Sequence, residues 1–131
     1  MRRLLFGLFA ATLVTFPIAA NAEERTVPAG RTSGLYDFAV WDPSTCSHLG
    51  KITHRLTKPP KHGTVTTTWA VSHVESIPAR CKGKIKGLLI YYTPKKGYRG
   101  PDTFTMTMLA PRFEGDGSPA ARVVKPKLVV K

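Results

Sequence analysis

Residues 103–108 read Thr-Phe-Thr-Met-Thr-Met, and this alternation of threonine with a large apolar side chain constrains the fold more than any other feature of the chain. A period of two sets one face of an extended strand in a core and the other in solvent. The pattern recurs at residues 64–71, where Val65, Thr67, Trp69 and Val71 share a face. Residues 35–41 and 52–57 are further strand candidates, and 88–92 is a near-continuous apolar run suited to a central strand. Residues 121–130 form a β-rich terminal segment interrupted by Pro126. No window repeats at 3.6 residues. Turn formers separate the segments, as at Asp42-Pro43-Ser44, Pro59-Pro60 and the stretch from Glu114 to Pro119. Six or seven short strands so divided predict an antiparallel all-β sandwich or barrel. Pro126 is expected at an edge or bulge, because it cannot donate to a ladder.

Residues 1–22 stand apart from this pattern. Arg2-Arg3 is followed by an apolar run and then by Ala20-Asn21-Ala22, a small-residue cleavage site, just before Glu23-Glu24. That order reads as a cleaved secretory signal peptide. The expectation is export to the periplasm or beyond. Residues 23–131 then form one domain, a size at which single domains are common.

Cys46 and Cys81 are the only cysteines. Two cysteines in an exported chain are expected to pair as one structural disulfide. Free thiols for metal or redox work would be favoured by a C-x-x-C spacing, which is absent.

The chain carries twenty Lys and Arg against eight Asp and Glu, a net charge of +12. Loss of Arg2 and Arg3 with the leader brings this to +10. A charge of that size predicts attraction to polyanions. Lys82, Lys84 and Lys86 alternate with Gly83 and Ile85, so on a strand all three would point one way. Lys95, Lys96 and Arg99 follow closely, with Tyr98 as an aromatic platform, and Lys58 and Lys61 flank the Pro59-Pro60 turn. Lys82, Lys84, Lys86, Lys95, Lys96 and Arg99 are therefore the expected anion-binding residues. Lys125, Lys127 and Lys131 lie apart from them in sequence.

Nothing in the pattern nominates a catalytic constellation. His48, His54, His62 and His73 have no catalytic or zinc spacing and are expected at the surface. Met106 and Met108 could serve Cu(I), but their alternation with threonine assigns them to the core. Ser44, Ser47 and Ser72 lack nucleophile-elbow glycines. The expectation is a protein that is not an enzyme and uses no metal or cofactor.

Two segments resemble a known family. Pro60-Lys61-His62-Gly63-Thr64-Val65 is similar to the P-x-H-G-T-V/L turn and strand of bacterial cadherin-like, Ig-like adhesin repeats. The stretch from Tyr92-Thr93-Pro94 through Tyr98, Gly100 and Asp102 to Phe104 resembles their Y-x-P-x-x-x-Y/F-x-G-x-D-x-F motif. The resemblance covers about residues 57–130 and implies an Ig-like or cadherin-like Greek-key sandwich of about seven strands. Tyr92 and Phe104 would anchor its core, and Asp102 would accept hydrogen bonds from amides of the loop before it. The chain departs from the family in carrying one copy and in lacking acidic clusters for calcium. Glu114-Gly115-Asp116-Gly117 supplies too few oxygen ligands for a calcium loop.

The expected function is a non-catalytic binding or structural module of the bacterial cell envelope, engaging an acidic polymer, an anionic lipid or an acidic protein. The alternatives are a small secreted effector or enzyme inhibitor with basic loops, and, behind it, a periplasmic metal-handling protein or hydrolase. Nucleic acid is disfavoured, since the chain is exported and carries no binding motif of that kind.

Overall fold

The computed structural model describes residues 23–131, so the expected leader lies outside the described residues. The chain forms β1 (Glu24–Val27), β2 (Ser33–Phe38), β3 (Trp41–Asp42), β4 (Ser47–His48), β5 (Thr53–Lys58), β6 (Gly63–Val71), β7 (Lys86–Pro94), β8 (Gly100–Thr103), β9 (Thr105–Ala110), β10 (Ala120–Val124) and β11 (Lys127–Val130). A single 3₁₀ turn, Ala79–Cys81, is the one helical element among the described residues.

The architecture is all-β. One sheet has the order β2-β7-β6, antiparallel throughout. Facing it, two ladders, β1-β11-β8 and β10-β9-β5, share one long hairpin. Thr103 pairs with Lys127 and Met106 with Val124, three residues further along both strands, so the register is preserved across the gap. Pro126 therefore interrupts the hairpin without inserting a residue: it removes one donor and splits the strand into β10 and β11. Counting β8–β9 and β10–β11 as one broken strand each, and setting the small β3–β4 hairpin aside, gives seven strands in a Greek-key sandwich. The chain changes sheet between β1 and β2, between β2 and β5, between β5 and β6, and between β7 and β8, as in Ig-type domains. β1 runs parallel to β11, and the other pairings are antiparallel.

Burial follows the alternation. Phe104, Met106 and Met108 are buried, and so are Leu88, Ile90 and Tyr92 on β7 and Leu35 on β2. With Val27, Val124, Leu128 and Val130 they form one core between the two sheets. A smaller core, Ile77, Cys81 and Ile85, packs with Ala39, Trp41 and Cys46 beyond the ends of β6 and β7. The Cys46–Cys81 disulfide closes it.

Three expectations are corrected. The strand expected over 35–41 stops at Phe38, and Trp41–Asp42 pairs instead with Ser47–His48 in a small hairpin. Cys46, left-handed at φ 56°, turns that hairpin back, with its amide donating to the Asp42 carbonyl at 3.0 Å. Residues 82–84 are not strand. Cys81 has to reach Cys46, so the 3₁₀ turn and a tight turn at Gly83 (φ 81°) precede β7, and Ile85 goes into the small core. His62 is half-buried rather than a surface residue, because its ring lies flat on Tyr98.

Candidate anion-binding site

β7 fixes the electrostatic layout. It is nine residues long, so its ends lie about 26 Å apart at ~3.3 Å per residue. Lys82 and Lys84 sit in the turn before it and Lys86 on its first residue, whereas Lys95 and Lys96 follow its last. Arg99 precedes β8 at that same far end. All six side chains are exposed. The separation exceeds the ~8 Å Debye length at physiological salt. The six expected residues therefore form two clusters at opposite ends of the sandwich, and the structure does not bring them into one face.

The end bearing Lys95 is built around Asp102. Its buried carboxylate accepts the Tyr92 hydroxyl at 2.6 Å, the amides of Lys61 and His62 at 3.1 and 3.0 Å, and its neighbour Thr103 N at 2.9 Å. The expected donors were in the loop just before Asp102, but the amides come chiefly from the turn forty residues earlier. The two sequence motifs thus form one knot. Gly63 is required there, since a Cβ would stand 2.5 Å from the Tyr92 ring. Burial, and then the bond to Asp102, push the Tyr92 phenol well above its ordinary value. The His62 and Tyr98 rings stack at 4.0 Å and 4°. Lys95 N donates to His62 O at 2.7 Å and Lys95 Nζ to Lys61 O at 3.2 Å, which joins the third loop. The Tyr98 hydroxyl donates to the Pro101 carbonyl, over Gly100 at φ 129°.

That knot buries Asp102, the carboxylate nearest the loops of its end. The loops 28–32, 59–62 and 95–99 carry Arg31, Lys61, Lys95, Lys96 and Arg99 and no Asp or Glu. Beside them a groove of about 570 Å³ opens along β8 and β11. Lys58 and Lys61 line one side and Lys125 and Lys127 the other, with Glu24 and His62 also at the wall. Among the described residues none of these four lysines is in a salt bridge. Lys125 and Lys127 come from the opposite end of the chain, so only the register of β11 on β8 reveals the set.

The other end is mixed in charge. Its loops carry Glu75, Glu114 and Asp116 among Lys51, Arg80, Lys82, Lys84 and Arg112. Arg112 bonds Asp116 through Nε at 3.0 Å, which holds the Asp116 carboxyl well below the usual carboxylate range. Ser44 bonds likewise lower Asp42. A cavity of about 610 Å³ at this end is mostly apolar, with Arg112 and Arg122 at its wall. Among the described residues no three His, Cys, Asp or Glu side chains converge as a metal site needs.

No family model and no curated protein matches the chain. Among solved structures, the solution structure of Amebosin aligns with a TM-score of 0.48 at 12% identity, over 82% of this chain and 88% of that one. Among the described residues no helix is long and apolar enough to cross a membrane.

Proposed function

We propose that the chain is an exported, non-catalytic binding module of the bacterial cell envelope, periplasmic or secreted, that holds a polyanion at its Lys95 end. One observation carries this reading: Arg31, Lys58, Lys61, Lys95, Lys96, Arg99, Lys125 and Lys127 line the groove or the loops beside it, and the nearby carboxylate of Asp102 is spent inside the fold. The disulfide fits an oxidising compartment, and the leader-like residues 1–22 fit export.

Magnitudes decide the kind of ligand. An exposed ammonium against an anion at ~4 Å gains about 1 kcal/mol in water. Four such contacts give only about millimolar affinity. A small anion in the groove would hardly be retained. A polymer or lipid surface that spans the groove and the loops 95–99 and 28–32 adds contacts without a second loss of translational freedom. The cadherin-like resemblance supports the envelope setting.

The test is a titration with dextran sulfate as model polyanion, with phosphatidylglycerol vesicles as the lipid counterpart, at low salt and at about 0.5 M NaCl. Saturable binding that weakens steeply with salt supports the reading, and the better probe distinguishes polymer from lipid. Absent or salt-insensitive binding to both overturns it.

A further inference from the structure

β10 reverses the alternation that the rest of the sandwich obeys. Arg122 pairs with Met108 and Val124 with Met106, and directly opposed residues share one face of a sheet. Met106, Met108 and Val124 are buried in the core, so Arg122 lies on the core-facing side of β10. Val123, on the other side, is 63% exposed. The usual order is apolar inward and polar outward. An inward charge discourages pairing at a sheet edge, which accounts for a cation at this strand but not for the cavity beside it.

That cavity, of about 610 Å³, lies at the disulfide end, with Phe38 of β2 on one wall and Ala120 and Arg122 of β10 on the other. Small side chains make the room: Ala110 pairs with Ala120 at the end of the β9–β10 ladder, and both line the space. The buried Ile52 and Met108 close it on the core side. Arg122 is exposed as well as lining the cavity, so it stands at the mouth. Among the described residues no Asp or Glu lines the wall, and Arg122 is in no salt bridge. Arg112, the other arginine there, is neutralised by Asp116 at 3.0 Å. One free guanidinium therefore guards an apolar chamber of the size that takes a small ligand.

We propose that this cavity binds a single-chain fatty carboxylate, its alkyl chain against Ile52 and Met108 and its head on Arg122. Both halves of the ligand follow from the wall. The apolar lining favours an alkyl chain, each buried methylene tightening binding about fourfold. The planar guanidinium fork matches a carboxylate. A compact anion would leave the apolar wall wetted, and a neutral hydrocarbon would leave the guanidinium without a counter-ion. Decanoate, at ~30 Å³ per heavy atom, fills roughly three-fifths of the 610 Å³. The site is separate from the lysine groove along β8 and β11, and it does not depend on a polyanion binding there.

Calorimetric titration of the purified protein with octanoate, decanoate and decanol tests this. Decanoate should bind saturably at one site, at least about tenfold more tightly than octanoate, because it buries two more methylenes. Arg122→Gln should weaken decanoate about fivefold and leave decanol unchanged. Ala120→Phe fills the cavity from an exposed position and should abolish decanoate binding, with every lysine of the groove intact. Circular dichroism confirms that both variants are folded. The proposal is overturned by absent or unsaturable decanoate binding, or by equal affinity for octanoate and decanoate. An Arg122→Gln variant in which decanoate and decanol change alike, or an Ala120→Phe variant that binds decanoate like wild type, would equally overturn it.

Discussion

At the Lys95 end, one buried carboxylate ties the 59–62 turn to β7 and β8, and Lys95 adds the 95–99 loop, whereas at the Cys81 end two long loops are tied by one disulfide. Both devices address the same difficulty. Residues beyond the strand ends lose the ladder and leave backbone groups without partners. The disulfide does so covalently and anchors a small apolar core. The Asp102 knot does so with hydrogen bonds and removes a negative charge from the surface. That difference leaves the loops of one end with cations alone and those of the other with both signs, so the means of holding the fold sets the charge pattern offered to a ligand.

The largest expected effect is loss of the knot. Asp102→Ala orphans the Tyr92 hydroxyl and the Lys61 and His62 amides, and buried unsatisfied groups cost ~1–3 kcal/mol each. The variant should lose about 3–5 kcal/mol in denaturant melts. Hydrogen exchange should quicken in 59–62 and 95–99 and stay unchanged in 72–85. Exchange that quickens equally at both ends would show that the ends are not independently held.

Removing the disulfide by Cys46→Ala with Cys81→Ala should cost about 3–4 kcal/mol, from a closed segment of roughly 35 residues. Here exchange should quicken in 43–50 and 72–85 and spare the knot. Alkylation without reductant should label neither cysteine in the native protein.

A smaller effect sharpens the account of the knot. Tyr92→Phe removes one hydroxyl and should cost about 1 kcal/mol at neutral pH. The pH dependence is the stronger readout. The raised phenol is protonated in the folded state where the unfolded chain would ionise. Its contribution is therefore complete below about pH 10, the unfolded value, and is lost as the pH rises from there toward the folded one. Wild-type stability should fall over that range, and Tyr92→Phe should flatten the fall. An identical alkaline limb in both proteins would remove Tyr92 from the knot.

The sequence was most legible where one rule acted alone. Alternation located β6 and β9, and the apolar run located β7; the single strand expected around Pro126 is split into β10 and β11. The cysteine count and an exported context predicted the disulfide. Legibility failed where distant segments had to be combined. Lys-Gly-Lys-Ile-Lys has the spacing of a strand, but the reach of Cys81 to Cys46 and the turn at Gly83 decide its conformation. Asp102 is readable as an acceptor, but its amide partners are set by where the 59–62 turn folds back. β1 escaped notice because four residues paired in parallel carry no periodic signal. The groove could not be seen at all, since Lys58 and Lys61 meet Lys125 and Lys127 only through sheet register.

Two charge reversals of equal size test the difference between the ends most directly. Lys58→Glu, Lys61→Glu and Lys127→Glu alter the groove, and Lys82→Glu, Lys84→Glu and Lys86→Glu alter the disulfide end. Exposed substitutions of this kind shift stability by only about 0.5 kcal/mol each, so both proteins should stay folded. Affinity for dextran sulfate at fixed low salt is the readout. The groove variant should bind at least about tenfold more weakly than wild type, and the other within about threefold of it, because the ends lie beyond electrostatic reach of each other. Equal losses in the two variants would mean that net charge alone attracts the polyanion and that the Lys95 end is no site.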